Sequence, residues 1–252
     1  YYLNFSQDKF KLGGSSFAQI LNKVGDEAPT IQDSAFFKKA FNLMQKHILA
    51  GNIKAGHDIG SGGLITTLLE LTFPEVDLGA NYDLSSLEEQ DTVKALFNEN
   101  IGVVFQSNKS IEEDFKKEGI SIHKIGEVTN NSVVNIKNNS DSFEFNVSEI
   151  RDTWYKTSFL LDQKQSKNGT AEQRYGNYKN QPLSFNFPSG FEGKLPVISG
   201  DRPKAAIIRE KGSNSEREMA HAMYLAGFDV KDVHMTDLIT GRETLEDIQF
   251  IG

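Results

Sequence analysis

Hydrophobic positions along the chain change period several times, and each change marks an element. Phe37, Phe41, Met44 and Ile48 recur at helical spacing over residues 34–50. Asp33 or Ser34 can cap the start of that helix, and Gly51 can end it. Ile53 to Asp58 fits a short strand, and Gly62 to Phe73 a helix with Leu64, Leu68 and Leu71 on one face. Shorter helices fit 16–23, 91–97 and 110–118. Residues 76–83 read as extended, and IGVVFQ (101–106) as a compact buried strand. A strand is expected over 121–128. Two more, 132–137 and 142–147, are joined by Asn138-Asn139-Ser140-Asp141, a plausible hairpin turn.

Helices and neighbouring strand pairs therefore mix from residue 1 to about 147, which predicts an α+β domain of mixed α/β layers. A helix carrying Trp154, Phe159 and Leu160 is expected over 148–165. The pattern then fades. Residues 166–202 are polar, with Pro182, Pro188 and Pro196 beside Gly190, Gly193 and Gly200, and read as a linker or a draped tail. Regularity returns with the strand Lys204–Arg209, a helix over 215–226 opened by Ser215 and Glu218 at capping-box spacing, and a strand from Phe228. That is the opening of a doubly wound α/β sheet. The expected organisation is a domain at 1–147, a helix and linker at 148–202, and a truncated α/β start at 203–252. Tyr1 at the beginning and the apolar run at the end suggest a piece of a longer protein.

Composition narrows the function. The chain has 252 residues, 38% hydrophobic and 25% charged, and a net charge of −8, which suits a globular domain and argues against a nucleic-acid partner. It has no cysteine, so this chain offers no disulfide, thiolate metal site or cysteine nucleophile. No apolar run approaches a membrane span, and a cytoplasmic setting is expected.

The chemistry concentrates in HDIGSGG (57–63), where a strand ends, a glycine-rich turn follows and a helix begins. Amides in such turns attract phosphate, helped by the helix dipole. Asp58 beside them could hold Mg²⁺ bridging phosphate oxygens; the alternative is a tight turn with an aspartate cap. Other signatures fail: Gly193-Lys194 is followed by Leu195, a dinucleotide fingerprint finds Ile65 where glycine is needed, and a nucleophile elbow at Ser61 finds Ile59. His47, His57, His123, His221 and His234 make no spaced metal pair. Leu12-Gly13-Gly14-Ser15-Ser16 is a second glycine turn, and Phe97-Asn98-Glu99 precedes a buried strand; each is a weak signal alone.

Taken in order, LGGSSFAQI (12–20), GHDIGSGGLITTLLELTF (56–73), LFNENIGVVFQ (96–106), TWYKTS (153–158) and PKAAIIREKGSNSEREMAHAMYLAGFDVKDVHMTDLITGRETLED (203–247) resemble the C-terminal part of the large, single-chain phosphoribosylformylglycinamidine synthases. The part before about 150 resembles the C-terminal domain shared with aminoimidazole ribonucleotide synthase and selenophosphate synthetase; the last motif resembles the start of a class I glutamine amidotransferase domain. The resemblance implies conversion of formylglycinamide ribonucleotide, with ATP and glutamine, to the amidine in purine biosynthesis. Mg²⁺ and ATP or ADP are the implied cofactors, the three substrates the implied partners.

The family motif reads His-Asp-x-Ser-Asp-Gly-Gly. His57, Asp58, Gly62 and Gly63 match it; the family serine falls on Gly60 and the second aspartate on Ser61. The resemblance thus assigns Asp58 to metal and nucleotide, and Gly60 and Ser61 to nucleotide through backbone contacts; in some members of the resembled family this site holds a structural ADP rather than the reacting ATP. No catalytic residue carries over: the cysteine–histidine–glutamate triad would lie downstream and the ATP- and substrate-binding half upstream. The chain alone is expected to be inactive. The alternatives are a nucleotide module from another synthase-like enzyme, such as a selenophosphate synthetase relative, and a non-enzymatic interaction domain.

Overall fold

The apolar run IGVVFQ requires cover on both faces, as a strand without polar alternation does. It forms β4 (Gly102–Ser107), the middle strand of an antiparallel sheet between β1 (Tyr2–Asn4) and β2 (Ile53–Asp58). Successive side chains of a strand face opposite ways. Val104 therefore joins one core with Tyr2, Leu64, Leu68 and Ile136. Phe105 joins another with Leu3, Ala40, Met44 and Phe115.

The computed structural model describes residues 1–25, 27–180, 185–191, 193 and 200–252. They fall into two compact units, Tyr1–Asn180 and Gln181–Gly252. Pro182, Pro196, Lys194 and Leu195, named above from the sequence, lie outside the described residues.

In the first unit, α1 (Ser16–Ile20) is capped by Ser15, whose hydroxyl accepts from the Ala18 amide. α2 (Ser34–Leu49) is capped by Asp33, which accepts from Ala35 and Phe36 and so satisfies two of the helix's free amides. It buries Ala40 and Met44 in the second core. α3 (Gly63–Glu70) buries Leu64 and Leu68 in the first. α4 (Thr92–Phe97) and α5 (Glu112–Lys117) flank β4 in sequence.

A second sheet runs in the order β5 (Gly126–Thr129), β3 (Gly79–Asp83), β6 (Val133–Asn138), β7 (Asp141–Asn146). Only β3 and β6 are parallel within it. The β6–β7 hairpin turns where the sequence predicts, with Asn139 at φ 51°, a left-handed conformation that asparagine tolerates.

α6 (Val147–Gln165) starts at Asn146, whose side chain accepts from Glu149. The sequence pattern fades after it, but the structure continues with α7 (Thr170–Asn177). The periodicity there is carried by tyrosines: Tyr175 stacks on Phe159 with ring centres 4.4 Å apart, and Tyr178 on Tyr155 at 4.1 Å and 5°. Arg174 pairs with Asp162 across the hairpin. β1, three residues long, was not foreseen, and β5 starts at Gly126 rather than 121.

The second unit contains β8 (Lys204–Arg209), α8 (Glu216–Leu225), β9 (Asp229–His234), α9 (Met235–Ile239) and β10 (Phe250–Ile251). Its sheet, β10-β8-β9, is parallel throughout. Met223 of α8 closes over Ala205 and Ile207. This is the β-α-β arrangement the sequence predicts for 204–233.

Leu68 is fully buried, so Leu68→Ala should cost about 2–5 kcal/mol in urea unfolding. Burial also pushes the Tyr82 phenol up to about 12 from its usual 10. Above pH 10 the unfolded chain ionises at this tyrosine before the folded one, so its contribution to stability is lost as pH rises from 10 to 12. Tyr82→Phe should make the alkaline decline in melting temperature shallower.

Candidate functional site

The turn between β2 and α3 is shaped by what lies under it. Gly62 and Gly63 have φ of 94° and 77°, conformations that residues with a Cβ rarely adopt. A Cβ on Gly63 would also stand 2.6 Å from the Phe97 carbonyl carbon and 2.7 Å from the Asn98 oxygen. Main chain is the obstacle, so only glycine fits. The Leu64 amide donates to that same Asn98 oxygen at 3.2 Å.

The segment beneath is Phe97-Asn98-Glu99-Asn100, and each residue is held by its own contacts. Phe97 stacks on Phe17 with ring centres 4.5 Å apart. Buried Asn98 donates to the Lys94 and Ala95 carbonyls at the end of α4. Buried Asn100 donates to the Asp8 and Lys9 carbonyls. One carboxylate oxygen of Glu99 accepts from the Gly62 amide at 2.9 Å and from the Ser16 amide at 2.8 Å. It sits at the starts of α3 and α1 together, where a negative charge is favoured. Sequence reasoning noticed Phe97-Asn98-Glu99 without assigning this role; the signal was a run of polar residues wedged between an amphipathic helix and an apolar strand.

This bridge bears on the phosphate reading of HDIGSGG and on the second glycine turn, Leu12–Ser16. At Leu12–Ser16 the Gly13, Gly14 and Ser15 amides donate to Glu27, Val24 and Leu12, and Ser16 to Glu99. At HDIGSGG, Gly62 is taken by Glu99 and Gly63 donates to Gly60. The Gly60 and Ser61 amides have no acceptor among the described residues. A Cβ added at Gly60 would meet nothing within 4 Å, so space is open above it.

Asp58, Gly60 and Ser61 therefore lie together at the exposed end of β2, next to Ile59, which is buried and donates to the Gly102 carbonyl at 3.0 Å. The Asp58 side chain is 90% exposed. Its main chain is fixed instead: the Asp58 carbonyl accepts from Thr67 Oγ1 at 3.1 Å and faces His57 Nδ1 at 2.7 Å. His57 Nδ1 also lies 3.5 Å from the Asp58 carboxylate, and Nε2 lies 3.1 Å from Glu70. Among the described residues no group of three or more His, Cys, Asp or Glu could hold a metal ion. One exposed carboxylate suits a magnesium ion that keeps its waters and arrives with phosphate oxygens. It does not make a cage for a bare ion.

The other histidines stand apart. His47 is buried on Phe115 and bonds Asn52; His234 caps α9. A cavity of about 580 Å³ lies between Leu71, Tyr82, Phe105 and Ile125 and includes none of Asp58, Gly60 and Ser61. The exposed carboxylate and the open amides are at the turn, which makes the turn and not the cavity the candidate site.

Comparison with known proteins bears on this geometry. The AIR synthase related protein, C-terminal domain, matches residues 10–137, more than half of the chain. The chain belongs to that family. A CobB/CobQ-like glutamine amidotransferase domain matches residues 202–252. Over its whole length this AIR synthase related chain is 33% identical to the probable phosphoribosylformylglycinamidine synthase, chloroplastic/mitochondrial, of Arabidopsis thaliana. It is 36% identical over 99% of its length to the phosphoribosylformylglycinamidine synthase of Saccharomyces cerevisiae. It spans only 18% and 20% of those two proteins. Among solved structures, PurLQS from Thermotoga maritima shares 22% identity over 47% of this chain and 22% of that one, with a TM-score of 0.41. The α+β class expected for the first domain agrees with the observed mixed sheets and the family match. Among the described residues no helix is long and apolar enough to cross a membrane.

Removing Glu99 takes away both bonds and leaves two turns without their anion. Glu99→Ala should lower stability by roughly 2–4 kcal/mol in chemical denaturation.

Proposed function

We propose that the chain is the AIR-synthase-like C-terminal part of a phosphoribosylformylglycinamidine synthase, together with the first β-α-β layer of its glutamine amidotransferase domain. The observation that carries this reading is the order of two family matches, 10–137 then 202–252, on a chain similar end to end to such synthases. A selenophosphate synthetase relative would account for the first match and not the second. The proposed organisation keeps a synthase-like domain through 147, a helix and linker through 202, and the amidotransferase start from 203.

The parent reaction combines formylglycinamide ribonucleotide, ATP, glutamine and water, and yields the amidine ribonucleotide, ADP, phosphate and glutamate. Activation of the amide oxygen by phosphoryl transfer is an electrostatic problem, because charge must be neutralised as it develops on the transferred group. At the β2–α3 turn, magnesium bound with a nucleotide would neutralise the charge of the phosphates held there. Asp58 would give it one oxygen, and the Gly60 and Ser61 amides would face phosphate oxygens. His57 and Thr67 hold the Asp58 main chain so that its carboxylate projects from a fixed point. The glutaminase and the remaining substrate contacts belong to other parts of the parent protein, so the chain alone should bind nucleotide without turning over.

Calorimetry with Mg-ADP and Mg-ATP tests this. Asp58→Asn should weaken Mg-nucleotide binding by about tenfold or more, about 1.4 kcal/mol per decade. Its exposed side chain should leave the nucleotide-free melting temperature unchanged. Equal affinity for wild type and Asp58→Asn, or none in either, would remove the site.

A further inference from the structure

Behind Asp58 and His57 stand two side chains that the nucleotide reading does not use, Glu70 and Trp154. Glu70 closes α3 and presents both carboxylate oxygens to partners. Oε1 accepts from Trp154 Nε1 at 2.6 Å, and Oε2 faces His57 Nε2 at 3.1 Å. The ring of His57, set by Glu70, then meets the Asp58 carbonyl at 2.7 Å and its carboxylate at 3.5 Å. Trp154 belongs to α6, and α6 is locked to the same point by two more contacts. Arg151 Nη1 donates to the Phe73 carbonyl at 2.8 Å, and the Phe73 ring lies 5.5 Å from Trp154. α7 and its C-terminal cap also hold α6, through Arg174–Asp162 and the Tyr155–Tyr178 stack.

We propose that Glu70 and Trp154 are positioning residues for Asp58, and that the Trp154–Glu70–His57–Asp58 line couples metal-nucleotide binding at the β2–α3 turn to α6, the helix that leads in the chain toward the amidotransferase segment. The proposal rests on the nucleotide reading of Asp58 given above. A cation drawn to the Asp58 carboxylate competes with His57 for it. Any adjustment of the ring passes to Glu70, because both its oxygens are engaged, and from there to the indole. Coupling between binding and α6 must then act in both directions: whatever disturbs the indole–carboxylate bond weakens nucleotide binding, and nucleotide changes the surroundings of the indole.

The chain has one tryptophan, so tryptophan emission reports the surroundings of the Trp154 indole. The 252-residue chain is titrated with Mg-ADP, with Mg²⁺ alone as control, and the emission of Trp154 is followed beside calorimetry on the same samples. A change in intensity or wavelength that saturates with the calorimetric affinity is the expected result. Glu70→Gln should lose that emission change while still binding Mg-ADP several-fold more weakly, and Trp154→Phe should weaken binding comparably by calorimetry. Calorimetric binding with silent emission would overturn the coupling and leave the site standing. A full emission response in Glu70→Gln would also overturn it. Absence of calorimetric binding in the wild type would remove the nucleotide reading itself, and the coupling with it. Should Glu70→Gln fail to fold, the wild-type titration decides the matter.

Discussion

One carboxylate oxygen, that of Glu99, ties the two glycine turns of the first unit together. It accepts from the first turns of α1 and α3 simultaneously, so two glycine loops separated by more than forty residues in sequence share one anion. Helix starts repel one another less when a negative charge lies between them. The main-chain fit of Gly63 against Phe97 and Asn98 sits beside that shared anchor. The HDIGSGG turn and its glycine-rich counterpart at 12–16 are, for the most part, loops whose amides already serve the fold.

The parts of the fold legible from sequence are those whose periodicity is written in aliphatic and phenylalanine side chains. α2, α3, β4 and the β6–β7 hairpin announce themselves through Met44, Leu64, Leu68 and the Asn138–Asp141 turn. β1 was invisible because three residues carry no period, although Tyr2 and Leu3 are among the most buried side chains. α7 was invisible because its stripe is Tyr175 and Tyr178, polar-tipped rings that sit among Asn, Gln and Lys. The HDIGSGG turn was legible as a turn. That most of its amides are spoken for was not, because Glu99 lies far away in sequence.

Conditions differ in the second unit. Its core rests on Ala205, Ile207 and Met223, and its ion pairs are exposed ones, such as Lys204–Asp247 and Arg209–Asp232. Exposed pairs contribute little each. Register there is carried by the parallel pairing of β8 with β9 and β10, in keeping with the alternation of strand and helix expected from residue 204 onward.

The middle strand of the first sheet serves two interiors at once. Val104 faces one and Phe105 the other, with a single peptide bond between them. A slip of one residue would send a phenylalanine into a valine's space and open a hole opposite, so neither compartment can loosen without disturbing its twin. A partition wall shared in this way makes the halves melt together, whereas residues 54–56 of the neighbouring β2 lie open to solvent and belong to neither interior.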